Sequence, residues 1–217
     1  MFGKLYQNES GKVGYIAFFN LEDWWQKTFT KEEQNHIIEK YQPLGAQKGC
    51  LVKDRFTATS QTCFPFLYTL ASWFNNSTDR AIAMKIITKA EEYIDSEKNI
   101  LTLHFFWPTK MKIFYAEREN PTILKIVIDC CLKQIDLAPA AAQAFRQEYG
   151  DHKLPVHEGY DQLCIIYERQ GKFEDAIKIA EQAKKQGWNG EYEGHWDDRI
   201  ARCRKKLNTP TKTKSNS

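Results

Sequence analysis

Five histidines and six cysteines are the residues of this chain best suited to hold a metal or attack a substrate. His152 and His157 flank Pro155, with Glu158 and Asp161 just after and His195 further on. A zinc site would use side chains of these types. Zinc ligands on a shared helix or turn recur as His-x-x-x-His or Cys-x-x-Cys, spacings that aim both ligands at one point. Neither spacing occurs, so these residues read as solvated loop histidines, and no metal is expected. Cys130 and Cys131 lie inside the apolar run from Ile123 to Leu132. A thiol in such a run is raised in pKa and inert, so packing is the expected role. Glycine-rich phosphate loops and a nucleophile elbow are both missing. No catalytic residue and no cofactor are expected.

Rings and charge offer a second kind of chemistry. Trp24, Trp25 and Phe29, then Phe64 to Phe74, then His104-Phe105-Phe106-Trp107 concentrate aromatics in the first half. They form either a core of large side chains or a groove able to hold a peptide or a base. Seven basic residues and no acid fall between Arg199 and Lys214, while the whole chain carries only +3. Such a tail can solubilise or help to hold an acidic partner or nucleic acid, but it is too short to define a nucleic-acid interface. The six cysteines lack paired spacings, and adjacent ones rarely bridge. Reduced thiols in a cytoplasmic protein fit best. No window approaches the ~20 apolar residues of a membrane span.

The elements that must position these residues read as helices. Lys12 to Phe19 fits a short strand or an extended arm, and Asn20 fits a helix cap ahead of Glu22 and Asp23. Thr30 and Glu33 form a capping box, and Pro43 ends the helix that follows. Residues 45–61 read as a loop, extended in part. From Pro65 the spacing predicts helices over 65–75, 79–95, 107–118, 121–136, 139–149, 157–169, 173–186 and 196–207. Asn120-Pro121 is a helix start, with a cap before a proline in the first turn. Trp196, Ile200, Cys203 and Leu207 form one apolar stripe on a charged helix.

Within this series Tyr160, Leu163, Cys164 and Tyr167 have the spacing x, x+3, x+4, x+7, and Ala176, Ala180 and Ala183 follow on one face of the next helix. Antiparallel helices approach closely only where small side chains meet, and Cys164 and Ala176 supply that pair. Over residues 157–190 the chain resembles the tetratricopeptide repeat family, whose repeats carry this pattern with a period near 34. Leu67, Leu70, Ala71 and Phe74, then Ala83, Ile87 and Ala90, make a weaker copy, and Trp107 to Leu137 has the length of another hairpin. Two positions depart: Ala180 stands where an aromatic is usual, and Trp188 where a proline closes the repeat, so the next helix is expected to leave at an unusual angle.

The fold class expected is all-α, a short solenoid of antiparallel hairpins. Residues 1–61 form an N-terminal helical extension, 62–207 the repeats with a C-terminal capping helix, and 208–217 a disordered basic tail. The resemblance implies a non-catalytic module or adaptor that binds a protein or peptide on the exposed face of each hairpin's first helix. Carried over by position, that face holds Tyr68, Ser72 and Asn75 in one repeat and Asp161, Ile165 and Glu168 in the other. A homo-oligomer is compatible with such an array; a membrane partner is not expected. The competing classes are a nucleic-acid or nucleotide binder, and an enzyme whose residues converge only in space.

Overall fold

The computed structural model describes residues 5–7, 11–53, 58–150 and 152–209. The all-α expectation holds: ten α-helices and four two- or three-residue strands are found among the described residues. They divide into two compact units, 1–98 and 99–217. Of the tail expected over 208–217, Asn208 and Thr209 continue from the last helix with amides bonded to the Arg204 and Lys206 carbonyls, and the rest lies outside the described residues.

In the first unit a two-residue antiparallel ladder joins β1 (Tyr6–Gln7) to β2 (Ala58–Thr59). The segment expected as a strand or an extended arm instead contains a short helix, α1 (Gly14–Phe18). Gly14 has φ +79°, and a Cβ there would sit 2.4 Å from the Leu51 carbonyl oxygen. The close approach lets the Tyr15 and Ile16 amides donate to the Cys50 and Leu51 carbonyls. Asn20 does not cap α2 (Glu22–Thr28); it takes a left-handed φ of 57°, a region asparagine tolerates, and Leu21 stands at the cap position without a side-chain bond. The capping box of α3 (Lys31–Lys40) is present, with the Glu33 amide donating to Thr30 Oγ1 at 3.2 Å and the Thr30 amide to Glu33 Oε2 at 2.9 Å.

Helices α4 (Cys63–Ser72) and α5 (Arg80–Glu91) pack as a hairpin. Their core is Phe66, Leu67, Leu70, Phe74, Ile86 and Ile87, all fully buried. Most of the rings that offered a groove are therefore core. Between the two helices the buried Asp79 accepts from Asn76, Lys40 and His36, which tie α3 to the turn. The Lys40 ammonium, opposed by burial and aided by Asn76 and His36, holds the Asp79 carboxyl down at about 2.

The second unit begins with a long hairpin, α6 (Ile100–Tyr115) against α7 (Pro121–Tyr149). Asn120 caps α7 by accepting from the Thr122 amide at 2.9 Å. Two prolines were expected to bound helices, yet both lie inside one. Pro139 is exposed, so its ring clears the core and α7 runs through 29 residues. Pro108 is buried and lacks the N–H that would bond the His104 carbonyl. Gln134 Nε2, from α7, donates to that carbonyl at 3.1 Å instead. Its Oε1 accepts from the Gly159 amide at 2.7 Å, so one buried glutamine joins α6, α7 and α8.

The hairpin of α8 (Glu158–Arg169) and α9 (Phe173–Gln186) packs as its small residues demand. Tyr160, Leu163, Cys164, Ala176, Ala180 and Ala183 are fully buried, and Cys164 Sγ lies 3.4 Å from the Ala176 carbonyl. Burial pushes the Cys164 thiol up to about 12. The closing position, Trp188, opens a two-residue strand β4 (Trp188–Asn189), which pairs in parallel with β3 (Leu154–Val156). Helix α10 (His195–Leu207) then packs on α9. Its stripe buries Trp196, Ile200 and Cys203, while Leu207 stays 44% exposed.

Candidate functional site

Three buried polar side chains of the second unit, His157, His195 and Arg199, lie at or near the amino ends of α8 and α10. His157, expected in a solvated loop, is fully buried and caps α8, its Nδ1 accepting from the Tyr160 amide at 3.2 Å. A histidine accepting at Nδ1 is neutral with its proton on Nε2. That ring meets Trp188 edge-on at 4.7 Å, and the buried His104 stacks on Trp188 at 5.4 Å. Burial lowers the His104 pKa to about 4; burial, and then His104 beside it, lowers that of His157 to about 3. Both imidazoles are uncharged core groups at neutral pH. Each leaves one ring nitrogen without a nitrogen or oxygen partner, His104 Nδ1 and His157 Nε2, among the described residues.

His195 is also buried, against the expectation. Its Nε2 bonds Asp161 Oδ1 at 2.9 Å. Arg199, one helical turn on and with only 6% of its side chain exposed, donates to Asp161 Oδ1 at 2.7 Å and to Glu168 Oε1 at 3.0 Å. Arg202 closes the chain with Glu168 Oε2 at 3.1 Å, and that bond raises the Arg202 pKa further. Arg204 pairs with Glu181 at 2.9 Å. Three of the seven basic residues that suggested a charged tail thus neutralise carboxylates of α8 and α9.

These contacts bear on the six residues expected to line a binding face. Asp161, Ile165 and Glu168 do share one side of α8, but α10 lies along it. Its arginines already hold both carboxylates, so a partner would meet Asp161 and Glu168 only by displacing them. Ile165 is half-buried between the two. In the first unit Tyr68 is half-buried with its ring 5.5 Å from Phe64, and burial pushes its hydroxyl up to about 12. Ser72 is exposed and donates to the Thr69 carbonyl at 2.7 Å. Asn75 is exposed just past the end of α4.

An open cleft of about 550 Å³ lies beside α10, a size within the ~300–1,000 Å³ of ligand pockets. One wall is the β3 edge, Lys153, Pro155 and Val156; the other is the turn from Gly190 to Gly194. Trp188 and Trp196 form its base, joined by the Trp196 Nε1 donation to the Trp188 carbonyl at 2.8 Å. Val156 and Tyr192 remain 41% and 52% exposed. The turn is pinned: a Cβ on Gly190 would fall 2.3 Å from His195 Cγ, so only glycine lets this backbone rest on the imidazole. Sequence reasoning missed the cleft because it is built from a connection rather than a helix face. Its one visible signal was Trp188 standing where the repeat closes with proline.

No group of three or more histidine, cysteine, aspartate or glutamate side chains capable of holding a metal occurs among the described residues. Among the described residues no helix is long and apolar enough to cross a membrane. Comparison with protein-family models, with curated proteins and with solved structures gives no match.

Proposed function

We propose that this chain is a non-catalytic binding module of the tetratricopeptide type, which captures a protein or peptide through surfaces framed by its helical hairpins. The observation that carries the reading is the α8–α9 hairpin. Its small-residue contact at Cys164 and Ala176 packs two helices closely enough to present a rigid frame, and α10 covers its end as a capping helix does. A frame of this kind presents surface without itself supplying chemistry, so affinity comes from exposed side chains and preorganised backbone.

Exposed surface of two kinds supports the reading. In the first unit Ser72 and Asn75 offer hydrogen-bonding groups at the end of α4, beside Tyr68. In the second, the cleft beside α10 offers a tyrosine, a valine and several charges on a pinned turn. Both suit an extended peptide, whose backbone amides and carbonyls need partners. The test is affinity capture of the tagged full-length protein from its native extract, followed by reconstitution with the purified partner. A stoichiometric protein is the expected outcome. Nucleic acid or a small molecule retained in its place, with no protein, would overturn the proposal.

A further inference from the structure

The cleft beside α10 has a charge pattern that says what it takes. The amino end of a helix ordinarily favours an anion, because its amides point outward with partial positive charge. Here Asp197 and Asp198 already occupy the first turn and answer that field. Lys184 pairs with Asp197, and Asp198 lies near the Tyr192 hydroxyl. Arg199 and Arg202, close by, are bound by Asp161 and Glu168. What remains unanswered on the turn is Glu191 and Glu193, both exposed and without an ion-pair partner among the described residues, against Lys153 alone on the opposite wall. The excess is negative.

Tyr192 stands between those two glutamates. Its ring meets that of His195 edge-to-face at 5.2 Å and the residue stays 52% exposed, which leaves aromatic surface that a cation can meet. Across the cleft, exposed Val156 and Pro155 offer apolar surface. Carboxylates flanking an aromatic ring, opposed by an apolar wall, match a lysine or arginine followed by an apolar residue. The head group would lie against Tyr192 between the glutamates, and the neighbouring side chain against Val156. Because Gly190 rests on His195 and Trp196 is bonded to Trp188, the turn is ordered before anything binds.

We infer that this cleft docks a basic segment of a partner protein, a stretch in which a lysine or arginine adjoins an apolar residue. The inference rests on the proposed binding function and names its partner class. It is tested by selecting a random peptide library on the immobilised full-length protein. Enriched peptides are then synthesised with a fluorescent label and titrated by anisotropy. The expected result is enrichment of peptides carrying that basic–apolar pair, with affinity falling as salt rises. Glu191→Lys with Glu193→Lys is expected to weaken binding by roughly tenfold or more, since two attractive charges become repulsive. Tyr192→Ala should weaken it without a charge change. Glu119→Lys, at the other end of the long helix α7, should leave it unaltered. Enriched peptides lacking a base, or basic peptides indifferent to the cleft variants, would overturn the cleft assignment alone. Absence of any enriched peptide would count against the binding function beneath it.

Discussion

Replacing Arg199 by alanine should loosen α10 from α8. The guanidinium donates to Asp161 Oδ1 at 2.7 Å, to the Asp161 carbonyl at 3.3 Å and to Glu168 Oε1 at 3.0 Å. Breaking a buried pair by removing one partner costs ~3–5 kcal/mol, because a charge is left behind without compensation. Two facts reduce that range here. Asp161 and Glu168 keep 16% and 20% of their side chains exposed, and each retains a second partner, His195 and Arg202. About 2–3 kcal/mol is the expected loss. Hydrogen exchange read by mass spectrometry localises it: amides of α10 that open through undocking should exchange roughly 30- to 150-fold faster. Arg199→Met keeps the aliphatic stem and separates lost packing from lost charge. Adding Asp161→Asn to Arg199→Met should recover part of the loss, since less charge is then stranded. Exchange in α10 that rises by less than about threefold in Arg199→Ala would refute this reasoning.

Acid should weaken the two units in order. His104 and His157 have pKa values lowered to about 4 and about 3, from 6.5, so the unfolded chain binds more protons than the folded one below pH 6.5. Their stabilisation is complete above that pH and lost as pH falls toward the folded values, by about 2 kcal/mol for each histidine between pH 7.5 and 5. Asp79, lowered from 3.8 to about 2, keeps its contribution until the pH falls below about 4. Exchange protection across a pH series, corrected for intrinsic rates, should therefore fail first in α6, α7 and α8; earlier failure in α3 and α5 would contradict it. Cys164→Leu should cost ~1–3 kcal/mol in urea denaturation by forcing α8 and α9 apart at Ala176, whereas Cys164→Ala costs less. Equal midpoints for the two variants would show that the contact is not close.

The local signals were legible because they depend on neighbours in sequence. The Thr30–Glu33 box, the Asn120-Pro121 start and the Cys164–Ala176 contact all follow from a few adjacent side chains. The prolines misled because their cost depends on tertiary surroundings. Pro139 faces solvent, and the carbonyl freed by Pro108 is bonded by Gln134, thirty residues from His104. The histidines misled for the same reason. His157 and His195 lie in polar, loop-like stretches, yet Trp188 covers the ring of His157 and Asp161 bonds that of His195, each from more than thirty residues away in the chain. The expected binding face on α8 follows from register, but register says nothing of the arginines that α10 brings to it. The cleft was least legible, since a turn and a strand edge carry no periodicity.

The most direct measurement is the stoichiometry and affinity of the complex between the full-length protein and the partner captured from its native extract, by titration calorimetry. The account predicts a one-to-one protein complex, weakened by Tyr192→Ala or by Ser72→Ala with Asn75→Ala, with both variants folded. Capture of nucleic acid or a metabolite without any protein, or a protein complex indifferent to both sets of changes, would contradict it.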